Sequence, residues 1–203
     1  MKKHKLVELN RTLKIALENV LRENEKMSKQ VMQLEEEIKR LKRVSTTDSM
    51  TELGNKMAFN EIFESAICDY LTSGKKFTIA IIDLNDLKKA NDIEGHEKGD
   101  NLIKSAARVM QHTIRNNDYA FRIGGDEFAI ILTGIENGRP FERRLHDLAE
   151  KSGISLSIGW SSTSHLNRSY ISSSSIKEFL FGLADSNMYK QKSALKKKAL
   201  KRQ

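Results

Sequence analysis

Phe121-Arg-Ile-Gly-Gly-Asp-Glu-Phe-Ala-Ile-Ile-Leu132 decides how this chain is read. Two β-prone runs, 119–123 and 128–132, flank Gly124-Gly125-Asp126-Glu127. A glycine pair between such runs predicts a tight hairpin, because glycine enters positive φ without steric cost. The turn carries two adjacent carboxylates, Asp126 and Glu127, at a tip where bare backbone lets a ligand approach. Asp and Glu are also ordinary turn residues, so a solvated turn is the alternative until partners are found elsewhere.

One partner lies upstream. Phe77-Thr-Ile-Ala-Ile-Ile82 is nearly continuously apolar, which predicts a central strand covered on both faces. It ends at Asp83 and enters a turn and helix through Asp92. A carboxylate at the carboxyl end of a buried strand, just before a helix, can hold a metal and phosphates; a helix-capping Asp is the alternative. Around this pair, Met57, Phe59, Ile62, Phe63, Ala66 and Tyr70 have helical spacing. Gly95 to Asp100 reads as a loop, and 101–115 as an amphipathic helix. Pro140 opens a helix over 140–151, Ile154 to Trp160 alternates as a strand, and 167–175 is a polar, serine-rich loop. Ile176 to Met188 marks a last helix running into the basic tail. The order implies an α+β or mixed α/β fold with one central sheet wrapped by helices.

Residues 6–41 keep a heptad, with Leu6, Leu13, Val20, Met27, Leu34 and Leu41 at d. Asn10, Leu17, Asn24, Val31 and Ile38 stand at a. Five heptads without Pro or Gly predict a coiled coil, and asparagines at a favour a parallel two-stranded one, hence a homodimer. A helix lying on its own domain is the alternative. Ser45 to Asn55 breaks the heptad and reads as a structured elbow, with Asp48 and Thr51 of helix-capping type.

Composition narrows the function. The net charge of +8 divides into +5 over residues 1–45, −4 over 46–189 and +7 over 190–203. The basic excess sits at the ends and lacks interleaved aromatics, which argues against nucleic-acid binding. No apolar run can span a bilayer, and no secretion signal is visible. Cys68 stands alone among apolar neighbours and is expected to be a buried small hydrophobe; a reducing cytoplasm fits.

Several separated motifs resemble one family. They are Asp48-Ser-Met-Thr-Glu-Leu-Gly-Asn55, Asp83 to Asp100, Gly124 to Phe128, Ser157-Ile-Gly159, and Ala184-Asp185 with Tyr189 and Lys192. Together they look like the GGDEF diguanylate cyclases over residues 46–196, between a coiled coil at 1–45 and a basic tail at 197–203. The resemblance implies a mixed, five-stranded type of sheet related to nucleotide-cyclase palms. It implies condensation of two GTP into cyclic di-GMP, with two Mg²⁺ or Mn²⁺ per active site. Asp83, the Leu84 carbonyl and Asp126 would hold metal, with Glu127 either a second metal ligand or the group that helps deprotonate the 3′-hydroxyl. Lys88, Lys192, Lys196 and the amides near 86–88 would hold phosphates. Asn91 and Asp100 would read guanine, and His96 would shape the loop. Arg115 and Asp118 match the family's RxxD product-inhibition site. Three chain positions depart from the pattern: Asn85 replaces an Asp, Asp86 replaces an aromatic, and Lys196 stands where the family often has Arg. No sensor-like segment is visible, so regulation is expected from a separate protein at the coil or from a longer chain. A cyclic di-GMP receptor without turnover is the competing reading.

Overall fold

The computed structural model describes residues 2–167 and 172–200, without the side chains of 2–10, 12, 15, 39, 40, 42–44, 199 and 200. Parts of the serine-rich loop and of the tail, and the side chains of Leu6 and Asn10, therefore lie outside the described residues. The chain divides into two compact units, Met1–Ser45 and Thr46–Gln203. The first is the body of helix α1 (Lys2–Thr46), which at 1.5 Å per residue is roughly 67 Å long. Its described a and d apolar side chains, from Leu13 to Leu41, are 52–63% exposed.

The second unit is built on β1 (Phe77–Leu84), whose eight residues are all buried. Its alternate side chains supply two cores. Ala80, Ile82 and Leu84 meet α4 (His96–Thr113) and α5 (Arg139–Lys151) through Ala106, Met110 and Leu145. Ile79 and Ile81 face α2 (Lys56–Ser73) and α6 (Ser173–Leu200) through Phe63, Ile67, Leu180 and Ala184. β2 (Tyr119–Arg122), β3 (Glu127–Thr133) and β4 (Leu156–Ser162) complete a sheet of order β2-β3-β1-β4. Every pair of neighbours is antiparallel. The α+β class with one helix-wrapped sheet holds, but the described sheet has four strands and no mixed ladder. A parallel component survives as a single bridge between Gly54 and Phe121, because the elbow runs beside β2 without lengthening into a strand.

Local chemistry explains the element ends. Asn55 caps α2, its Oδ1 accepting from the Met57 and Ala58 amides at 2.9 and 3.1 Å. The cap is thus Asn55 and not Asp48 or Thr51. Gly95, at φ 87°, takes the corner between α3 (Leu87–Glu94) and α4 alone. Residues 96–100, expected as loop, are therefore helical. The hairpin glycines act otherwise than expected: neither Gly124 nor Gly125 is among the positive-φ glycines. A Cβ at 124 would instead stand 2.5 Å from the Glu127 carboxylate. Cys68 is exposed, not buried. Phe59, Phe63 and Ile67 take the core stripe of α2, and Cys68 sits one residue round from it.

Candidate active site

Three neighbouring strand ends make the site. Asp83 is the last but one residue of β1, opposite Glu127 on β3 and Ser157 on β4. The hairpin tip is stitched to β1, since the Leu84 amide donates to the Asp126 carbonyl at 2.9 Å. Asp83 is 5% exposed. Its Oδ2 accepts from Lys192 Nζ at 2.6 Å. Its Oδ1 is buried and has no hydrogen-bond partner among the described residues. Burial pushes the Asp83 carboxyl above its ordinary 3.8; Lys192 and Lys196 oppose the rise and the nearby Asp126 carboxylate adds to it. Lys192 is placed by close packing of α6 on β4. A side chain at Gly159 would collide with the α6 backbone at Ala184 and Met188.

A cleft of about 910 Å³ opens beside this pair. Leu84, Asp126, Lys88, Lys192 and Lys196 all border it, so most of the expected metal and phosphate groups converge. Lys89 and Lys198 join them. The sequence reading did not single these out, because a lysine run does not tell which members face a cleft. Other expected residues stand apart. Glu127 borders a separate groove of about 580 Å³ with Lys56, Phe59, Lys177 and Phe181. Asn91 packs its amide where a Cβ of Gly99 would lie, between α3 and α4, with half-buried Asp100 next in sequence. His96 is exposed in the first turn of α4. None of Asn91, His96 and Asp100 borders the lysine-lined cleft.

The departures at Asn85 and Asp86 resolve differently. Asn85 is turned into the sheet edge, donating to Ser155 Oγ at 3.1 Å and accepting from Ser157 Oγ at 2.9 Å. Its amide joins the ends of β1 and β4, donating to one serine hydroxyl and accepting from the other, where an ionised Asp could only accept from both. Asp86 lines the cleft instead, with a left-handed backbone.

Comparison with known proteins agrees with this geometry. The family described as "Diguanylate cyclase, GGDEF domain" matches residues 45–198. The chain belongs to the GGDEF diguanylate cyclase family. It is 30% identical over 154 residues to the diguanylate cyclase DgcS of Shewanella oneidensis, covering 72% of this chain and 49% of DgcS. It thus spans about half the length of that relative. The coiled coil and GGDEF domain of Caulobacter crescentus DgcB, solved with c-di-GMP, superpose with a TM-score of 0.70 at 25% identity, covering 82% of this chain and 91% of that one. Diguanylate cyclase SiaD of Pseudomonas aeruginosa, solved with its activator SiaC, gives 0.69 at 24% identity, covering 95% and 76%.

GGDEF diguanylate cyclases use divalent metal, and the residues here fit one. Asp83 keeps one buried carboxylate oxygen without a partner although the other is paired with Lys192, and with Asp126 nearby its oxygen donors suit Mg²⁺. Among the described residues no three of His, Cys, Asp or Glu cluster as a metal site. A Mg²⁺ ion held by two carboxylates completes its shell with carbonyl, water and phosphate oxygens.

The GGDEF turn has a support that the sequence reading missed. Arg122 donates to the Gly125 carbonyl through Nε and Nη2, at 3.3 and 3.0 Å, and to Asp48 Oδ1 through Nη1 at 3.3 Å. One guanidinium thus ties the turn to the elbow. Asp48 also accepts from the Thr51 amide and hydroxyl at 2.9 and 2.6 Å. Burial alone would raise the Asp48 carboxyl, but the Thr51 bonds and Arg122 outweigh it and hold it below 3.8. A lowered acid stabilises above its unfolded value and loses that contribution as pH falls through its native one. Wild type should therefore melt above Asp48→Asn near pH 7, with the gap closing below the ordinary 3.8. A gap in thermal melts that persists undiminished near pH 3 would contradict this.

Arg115 and Asp118 close the turn before β2. Both Asp118 oxygens accept backbone amides, from Arg115 and Thr133, each at 3.0 Å. Asp118 is buried while Arg115 is exposed.

Proposed function

We propose that this chain condenses two GTP molecules into cyclic di-GMP with release of two pyrophosphates, two copies meeting through α1. The carrying observation is the buried Asp83, one oxygen unpartnered and the other paired with Lys192, near Asp126; Lys192 and Asp126 both border a lysine-lined cleft. Asp83, the Leu84 carbonyl and Asp126 hold Mg²⁺ or Mn²⁺, which neutralises triphosphate charge and favours an ionised 3′-hydroxyl. Lys88, Lys192 and Lys196 take the phosphates. Lys192 is paired with Asp83 through one of its three donors, which leaves the others for phosphate. Glu127, across the β3–β1 register from Asp83, serves as a second metal ligand or as the proton acceptor. Asn91 and Asp100 read guanine between α3 and α4, His96 shaping the corner.

Cyclic di-GMP inhibits at Arg115. The Asp118 carboxylate is committed to holding the turn, and the exposed guanidinium is the group that meets phosphate or guanine. A separate activator protein, as SiaC is for SiaD, supplies regulation and acts on this chain through the coil.

Incubating the purified protein with GTP and Mg²⁺ and separating the nucleotides by chromatography tests this. The wild type should yield cyclic di-GMP, and an Asp126→Ala, Glu127→Ala variant none. Added cyclic di-GMP should slow the wild type and leave Arg115→Ala unaffected. Intact GTP with a dimeric, metal-supplied wild type would favour a receptor or a missing activating partner, and binding of cyclic di-GMP with no turnover under any activating condition would overturn the enzyme reading.

A further inference from the structure

Asp86 is one of two non-glycine residues with positive φ among the described residues, at φ 61° and ψ 11°. It occupies the N-cap position of α3, yet its side chain makes no capping hydrogen bond. An aspartate there ordinarily turns its carboxylate onto the amides of the first turn. Here only its backbone carbonyl is engaged, by the Ala90 amide at 2.9 Å. The side chain is exposed and lines the cleft that holds Lys88, Lys192, Lys196 and Asp126. Asparagine and aspartate are the side chains that best tolerate this backbone, so the geometry accounts for a short polar residue. It does not account for the charge. An uncapped carboxylate among cleft lysines weakens the attraction they exert on an anion, and more so the greater the anion's charge.

We propose that Asp86 is a specificity-determining residue that makes the cleft discriminate against metal-free nucleoside triphosphate in favour of the Mg²⁺-bound form. This rests on the reading that GTP places its triphosphate in this cleft. Free GTP carries more negative charge than its Mg²⁺ complex, so the Asp86 carboxylate repels it more. The lysines attract both forms, and Asp86 sets the difference between them. An exposed carboxylate is partly screened by solvent and salt, so the effect is moderate in size and depends on ionic strength.

Equilibrium binding to the full chain tests the proposal without turnover. The probes are GTP in EDTA and 3′-deoxy-GTP with Mg²⁺, which lacks the attacking hydroxyl. Asp86→Asn keeps the shape and the tolerance of positive φ while removing the charge. It should tighten metal-free GTP about three- to fivefold and the Mg²⁺-bound probe by less than about twofold. The gain should shrink in high salt. Asp86→Gly, which also frees the backbone, should give the same gain. If it alone gained, the effect would belong to backbone strain and the proposal would fall. Unchanged metal-free binding by Asp86→Asn also overturns it. So does weaker binding of the Mg²⁺ probe, which would make Asp86 a cation ligand. A Lys88→Ala, Lys196→Ala variant, changed only at exposed positions, separates the two levels of the argument. If it binds GTP like the wild type, the cleft reading falls and the proposal with it. If binding needs these lysines but ignores Asp86, the proposal alone falls.

Discussion

Replacing Asp83 with asparagine should abolish dinucleotide synthesis, lowering turnover by about 10³-fold or more, while the protein stays folded. The magnitude follows from the several kcal/mol that a divalent cation contributes to stabilising charge in phosphoryl transfer, each 1.4 kcal/mol being tenfold in rate. Asparagine offers Lys192 an acceptor in place of Oδ2, so the contact to α6 has a substitute. What it cannot offer is a negative charge for the ion. The pH dependence has a definite sign. Burial raises the Asp83 carboxyl, so the folded protein holds that proton longer than the unfolded chain does. Its contribution to stability is present below the ordinary 3.8 and is lost as pH climbs through the raised native value. At neutral pH the metal-free wild type therefore carries an undercompensated buried charge, which a cation relieves. Adding Mg²⁺ or Mn²⁺ without nucleotide should raise the melting temperature of the wild type and not of Asp83→Asn. Turnover by the variant within about tenfold of wild type, or an equal metal-induced shift in both, would contradict the assignment.

How far the chain could be read in advance depended on whether the deciding neighbour was near in sequence. The apolar run at 77–82 announced a strand buried on both faces, since each face of β1 meets its own core. The hairpin was legible for a related reason: β-prone runs on both sides leave a glycine pair little else to be. Its mechanics were not, because Gly124 is needed for the approach of the Glu127 side chain and not for its own φ. Asp126 and Glu127 are adjacent in sequence but border different clefts, since strand alternation begins at Glu127. Asn85 looked like a weakened metal residue until Ser155 and Ser157 supplied its partners. Arg122 carried no signal beyond its place in the run 119–123, and its partner Asp48 lies far upstream. Each of those bonds joins residues some seventy positions apart, and a single sequence carries no local signature of them. Cys68 was misplaced by one step around a helix, the smallest error that periodicity allows.

Breaking the heptad should cost activity in a way that dilution reveals. A full-length Val20→Glu, Leu34→Glu variant places charges at two d positions, both of whose native side chains are exposed along α1. In a parallel two-stranded coil these positions meet their own copies, so each substitution buries two like charges against each other. The variant should sediment as a monomer and the wild type as a dimer. If each domain holds one GTP, synthesis then needs a bimolecular encounter. Tethering through a coil gives the second domain an effective concentration near the millimolar range. At about 1 µM protein the variant should therefore make cyclic di-GMP about 10²- to 10³-fold more slowly per chain, with that specific rate rising in proportion to protein concentration. The wild-type specific rate should stay flat over the same range. GTP binding to the cleft should be equal in both, because the substituted residues lie in the first compact unit and the cleft in the second. A monomeric variant whose specific rate is undiminished and independent of concentration would mean that one copy completes the site by itself. The apolar stripe of α1 would then serve a different partner.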